Sequence, residues 1–102
     1  MLELTKENFE KEVLKSKKLV LVDFKADWCA PCKLITPALE DLSKEFKNIK
    51  FASMDVDQYS AIATNYGVRA IPNIVLFENG NIKDRVVGLV SKDHLKQWLK
   101  NI

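Results

Sequence analysis

Only two cysteines and one histidine occur among the 102 residues. Structural zinc usually takes four Cys or His ligands, often as two Cys pairs. One pair, Cys29 and Cys32, with the lone His94, falls short of that set, so no metal is expected. Strong charge of one sign is also missing. The net charge is +2, and the longest cationic cluster is Lys15-Ser16-Lys17-Lys18. Dedicated nucleic-acid or lipid-binding patches are denser, so neither nucleic acid nor membrane is an expected partner. No apolar run approaches the ~18 residues of a membrane span. The opening Met1-Leu2-Glu3-Leu4-Thr5-Lys6-Glu7-Asn8 turns acidic and polar at once, with no apolar leader core. The expectation is a cytoplasmic protein, where thiols are kept reduced. A cysteine pair there is catalytic or metal-binding rather than structural. Linkers, repeats and low-complexity stretches are absent too, and residues 1–102 read as a single domain and a monomer.

What is present is an ordinary globular balance, with 47% hydrophobic and 29% charged residues. Helical and strand patterns alternate along it. Thr5 is placed to cap a first helix that buries Phe9 and Val13. Residues 18–26 hold a near-continuous apolar run, expected of an inner strand covered on both faces. A long helix follows the cysteines, with Ile35, Leu39, Leu42 and Phe46 on one side and Pro37 inside it, where a kink is expected. Residues 50–56 read as a second inner strand. Tyr59, Ile62, Ala63 and Tyr66 recur at helical spacing, and Gly67 stops that helix. Ile74 to Phe77 is a strand, Asn79-Gly80 a hairpin turn, and Ile82 to Val87 its return strand. Ser91 caps a last helix whose inner face is Leu95, Trp98, Leu99 and Ile102. Leu2 to Leu4 gives a weak signal for a further strand at the start. This order predicts an α/β chain: a mixed central sheet of four to five strands with helices on both faces.

The chemistry concentrates in Asp23-Phe24-Lys25-Ala26-Asp27-Trp28-Cys29-Ala30-Pro31-Cys32-Lys33, where strand gives way to helix. Cys29 falls at the helix start. Its thiolate would face unpaired backbone N–H groups and the positive end of the helix dipole, which lower a thiol pKa. Cys32 lies one turn later, within reach of Cys29. Pro31 suits a first turn, where its missing N–H costs nothing, and it stiffens the loop. The spacing outlines a two-step exchange: Cys29 attacks a disulfide and Cys32 resolves the mixed disulfide. Resolution needs a base for Cys32. Asp23 alternates with Leu19 and Leu21 on a strand expected to be covered, so burial raises its pKa toward neutrality. The plainer reading makes Asp23 a strand-edge residue, against which the surrounding apolar run argues. Trp28 sits beside the nucleophile and off any apolar stripe, which favours a contact surface over core. Trp98 fits its helix's stripe and reads as core, and His94 as a solvent-facing position.

Trp28-Cys29-Ala30-Pro31-Cys32-Lys33 resembles the thioredoxin family. So do Val22-Asp23-Phe24, Pro37, Tyr66-Gly67-Val68-Arg69-Ala70-Ile71-Pro72, Phe77-Glu78-Asn79-Gly80 and Val87-Gly88, across essentially the whole chain. The resemblance implies the thioredoxin fold and a general protein-disulfide reductase. It implies that Pro72 is a cis-proline against the cysteines and that Ile71 pairs with an extended client segment. Trp28, Ala70, Ile71, Pro72, Val87, Gly88 and Leu89 would form the docking surface, with Trp28, Ala30, Pro31 and Pro72 supporting the active site. No cofactor would be bound. A thioredoxin reductase using flavin and NADPH would recycle the pair, and clients would resemble ribonucleotide reductase, peroxiredoxins and methionine sulfoxide reductases. The chain departs from the family's pattern at Ala30, where glycine is common, at Lys25, where tryptophan is frequent, and at Asn73, where threonine is usual. Ser53 falls where many members carry a buried lysine near the aspartate. Without that lysine, desolvation should dominate the Asp23 pKa unless Lys25 reaches it. A histidine between the cysteines, frequent in oxidase and isomerase relatives, is absent, which favours reduction. A redox-silent binding module is the rival from another class.

Overall fold

The computed structural model describes residues 1–102. Five strands form one sheet in the order β1-β3-β2-β4-β5. They are β1 (Leu2–Glu3), β2 (Leu19–Lys25), β3 (Ile49–Asp55), β4 (Asn73–Glu78) and β5 (Asn81–Val87). β3 runs parallel to β1 and β2, whereas β4 is antiparallel to β2 and β5. The sheet is therefore mixed, and β2 lies at its centre, buried from Val20 to Phe24. This is why β2 reads as a near-continuous apolar run, interrupted only by Asp23 before it ends at Lys25: both of its faces are covered.

Alternation along β2 sends Val20, Val22 and Phe24 to one face and Leu21 to the other. On the first face Phe9, Tyr66 and Phe77 pack ring against ring, with centroids 5.3–6.0 Å apart. Helix α2 (Ser60–Asn65) contributes Ala63 to this layer. On the second face α1 (Ala30–Glu45) and α3 (Lys92–Lys100) cover the sheet with Ile35, Leu39, Leu42, Leu95 and Leu99. Helices thus lie on both faces, as the alternating pattern predicts. Helix α1 continues unbroken through Pro37.

Two expectations need correction. The first helix does not run as an α-helix from Thr5. Thr5 and Asn8 do exchange hydrogen bonds, N–H of each to the side chain of the other, at 2.7 and 3.2 Å. The turn then widens into a π-type segment, Glu10–Leu14, closed by Lys15 N–H on the Glu10 carbonyl at 2.9 Å. Phe9 and Val13 are nonetheless buried, because burial is set by the sheet they face. Ile102 lies on no inner face. Asn101 ends α3, the helical period stops there, and Ile102 is exposed.

The β4–β5 hairpin turns at Asn79 (φ 51°) and Gly80 (φ 82°), the left-handed pair that suits a two-residue turn. A Cβ on Gly80 would stand 2.9 Å from the backbone carbonyl oxygen of Leu14. Gly80→Ala therefore loses about 1–3 kcal/mol of stability from combined backbone strain and overlap. Urea unfolding at fixed redox state measures this, and a loss below about 0.5 kcal/mol, the range of an ordinary surface change, contradicts it.

Candidate active site

The β2–α1 junction folds as it does because Cys29 is the last extended residue (φ −90°, ψ 104°) before α1 begins. Its Sγ accepts a hydrogen bond from the Cys32 backbone N–H at 3.2 Å, so the sulfur itself caps the helix. Pro31 occupies the first turn, where no N–H is needed. Cys29 and Cys32 form a disulfide, with Cα atoms 5.3 Å apart. Their relative exposures are 3% and 1%. The capping geometry is what stabilises a thiolate at Cys29 in the reduced form, since charge on that sulfur meets an N–H and the helix dipole.

Asp23 is fully buried on β2, and neither carboxylate oxygen has a hydrogen-bond partner. Its neighbours across the sheet are Ser53 and Ile74. Desolvation pushes its carboxyl from 3.8 up to about 6, and the Lys25 ammonium pulls the other way. Lys25 also pairs loosely with Glu3, at 3.9 Å. Lys25 and Lys33 flank an open cleft of about 210 Å³ that reaches Cys32 and is lined also by Ala26, Asp27 and Thr36.

Pro72 follows a cis peptide from Ile71 and is buried. Ile71 packs against the cluster of Ala26, Cys29 and Cys32. Neither the N–H nor the C=O of Ile71 makes a hydrogen bond within the chain. Beside it, Gly88 (φ 92°) donates its N–H to the Pro72 carbonyl at 2.8 Å. Val87 pairs with Asn73, and Val87 and Leu89 are exposed, as is Ala70. Trp28 is 70% exposed, yet its indole N–H donates to Asp57 Oδ2 at 2.7 Å. Free backbone groups and an apolar rim thus meet beside the disulfide, an arrangement that can receive an extended peptide.

Two residues that touch the site's surroundings, Asp57 and Arg85, were not read from the sequence. Asp57 is remote in the chain and carries no local signal. Arg85, which reaches the Asn73 side chain next to Pro72, carries none either, being one of three charged residues on the edge strand β5. Trp98 is half-buried against the α1–α3 layer and also donates its indole N–H to Asp84 at 2.8 Å, which holds that carboxyl below its ordinary range. His94 is exposed on α3. No group of three or more His, Cys, Asp or Glu side chains is arranged to hold a metal ion, and no helix is long and apolar enough to cross a membrane.

Comparison with known proteins agrees with this geometry. The family model described as Thioredoxin matches residues 1–101. The chain is 46% identical over 99 residues to the thioredoxin of Rickettsia bellii, covering 96% of this chain and 94% of that protein. It is 46% identical over 97 residues to that of Rickettsia felis, covering 94% and 92%. It is 43% identical over 100 residues to that of Buchnera aphidicola, covering 97% and 93%.

Proposed function

This chain belongs to the thioredoxin family and is a thiol-disulfide oxidoreductase that reduces protein disulfides, and from that premise we propose how its residues divide the work. The Cys29 thiolate attacks one sulfur of a client disulfide. A mixed disulfide forms and one client thiolate leaves. The Cys32 thiolate then attacks the Cys29 sulfur, forming the Cys29–Cys32 bond and releasing the second client thiolate. The client gains two electrons and the pair loses two. Asp23 takes the Cys32 proton in this step and returns one when the pair is reduced again. A carboxyl with a pKa of about 6 is matched to that exchange near neutral pH.

The observation that carries the assignment is the hydrogen bond from Cys32 N–H to the Cys29 sulfur at the head of α1. It favours the thiolate at Cys29 and so makes Cys29 the attacking residue. Ala30 and Pro31 hold the loop, and Pro72 supports the site through Ile71, the residue before its cis bond, which packs against the pair. Trp28, Ala70, Ile71, Pro72, Val87, Gly88 and Leu89 receive the client, with the unpaired backbone of Ile71 as the docking edge.

A reductase partner and disulfide-bearing clients follow from the family. More finely, we infer a flavin-dependent, NADPH-using thioredoxin reductase. The inferred clients are of the ribonucleotide reductase, peroxiredoxin and methionine sulfoxide reductase kinds. The protein acts as a cytoplasmic monomer, one domain over residues 1–102, with no cofactor of its own.

Cys32→Ser tests the division of labour. Incubated with oxidised clients, it accumulates mixed disulfides through Cys29, because attack proceeds and resolution does not. Non-reducing gels and peptide mapping read the adducts. Recovery of none through Cys29 overturns the assignment.

A further inference from the structure

One guanidinium joins three parts of the fold. Arg85 lies on β5, opposite Val75 of β4. Its Nη2 donates to the Tyr66 carbonyl at 2.6 Å, and its Nη1 donates to the Gly67 carbonyl at 3.3 Å and to Asn73 Oδ1 at 3.5 Å. Tyr66 and Gly67 end α2, where unpaired carbonyls and the negative end of the helix dipole favour a cation. Asn73 is buried and directly follows Pro72. The same side chain therefore grips both ends of the segment from Gly67 to Asn73.

Between those ends the segment has few ties of its own. Val68 N–H bonds to the Ala63 carbonyl, and the Pro72 carbonyl accepts from Gly88 N–H. Arg69, Ala70 and Ile71 make no backbone hydrogen bonds. Ile71 must nonetheless stand at a defined place if its N–H and C=O are to meet a client strand. Hydrogen-bonded strand partners tolerate errors of only a few tenths of an ångström. The position of this segment is thus set by its anchored ends and by the packing of Ile71 against the cysteines.

We propose that Arg85 is a positioning residue for client docking: its fork of donors staples both ends of the Gly67–Asn73 segment, so that Ile71 and Pro72 are presented beside the disulfide in one arrangement. The proposal rests on Ile71 being the docking edge. The planar fork matters, because a lysine ammonium is a point charge that reaches one end but does not span both. Arg85 touches neither sulfur, so its loss weakens encounter with a client rather than the exchange itself.

The test compares Arg85→Met, Arg85→Lys and Ile71→Asp with the parent protein in insulin reduction at a fixed supply of reductant. Arg85→Met raises KM about fivefold and leaves kcat within about twofold, the effect of losing part of one charge-assisted hydrogen-bond set. Arg85→Lys shifts KM the same way by about twofold, and it serves alone if the methionine variant does not fold. Amide hydrogen exchange quickens in both at Val68 and Gly88, whose N–H groups tie the segment to Ala63 and Pro72. An unchanged KM in the Arg85 variants, with KM raised in Ile71→Asp, overturns the staple while the docking edge stands. No change in any of the three overturns the docking edge and the staple with it. A fall in thermal stability with KM and loop exchange unaltered makes Arg85 merely structural and also overturns the proposal.

Discussion

Cys29→Ser lowers insulin reduction to the rate of dithiothreitol alone. The physical reason is the identity of the nucleophile. The reactive species is a thiolate, and the helix-capping position of Cys29 stabilises that charge. A serine hydroxyl in the same place still caps α1, since oxygen accepts the Cys32 N–H as well as sulfur does. It does not ionise near neutral pH, and it forms no disulfide. The variant therefore keeps the fold and loses the chemistry. Its proper reference for stability is the reduced parent, because closing the short Cys29–Cys32 loop is worth about 2 kcal/mol in the chain-entropy account. Matching unfolding curves for Cys29→Ser and the reduced parent, with activity at background, are the expected pair of results. Residual acceleration well above background would assign the attack elsewhere and reopen the reading as a redox-silent binding module.

Asp23→Asn makes the oxidised protein more stable at neutral pH by about 3 kcal/mol and slows resolution of mixed disulfides. The stability change follows from linkage. Asp23 has a pKa of about 6 in the folded protein against 3.8 for the unconstrained group. Between those values the folded state binds more protons than the unfolded state. Stability therefore falls as pH rises from about 4 to about 6 and then levels off. The difference of roughly two pKa units corresponds to about 3 kcal/mol at 1.36 kcal/mol each. Asparagine resembles the protonated carboxyl in shape and polarity, so it escapes the cost of a buried, unpartnered charge. The gain vanishes below about pH 4, where the aspartate is itself protonated. Urea unfolding across pH 3.5–8 reads the whole curve, and carbon NMR of the carboxyl gives its midpoint directly. A midpoint near that of a free aspartate, or a stability gain independent of pH, refutes the account. Kinetically, the variant slows resolution more than initial attack. Equal slowing of both steps would remove Asp23 from its role as the base.

The site's local chemistry was legible because it depends on neighbours in the chain. Trp28 to Lys33 declare a strand-to-helix junction, and the spacing of Cys29 and Cys32 needs only the geometry of one helical turn. Asp23 was legible for a similar reason: alternation along β2 puts it on the same face as Leu21, inside a run apolar enough to be covered on both sides. The fold class emerged from alternating periods, though element details did not. The π-type turn at Glu10–Leu14 and the exposed Ile102 depart from ideal helical spacing because packing against the sheet and the end of α3 override a local pattern.

Contacts between distant segments carried no local mark. Trp28 meets Asp57, Trp98 meets Asp84, and Arg85 reaches Tyr66, Gly67 and Asn73 only once β3, β4 and β5 have taken their places in the sheet. The seating of Ile71 against the cysteines belongs to the same class. What the residues alone determined was a cysteine pair at a helix start and an acidic residue inside an apolar strand, because helix and strand periods act over a few residues. What tertiary structure decided was that Ile71 lies against the disulfide and that Arg85 spans Tyr66, Gly67 and Asn73. Strand order and loop placement are set by the burial of whole faces, a property of the folded chain and of no single stretch of it.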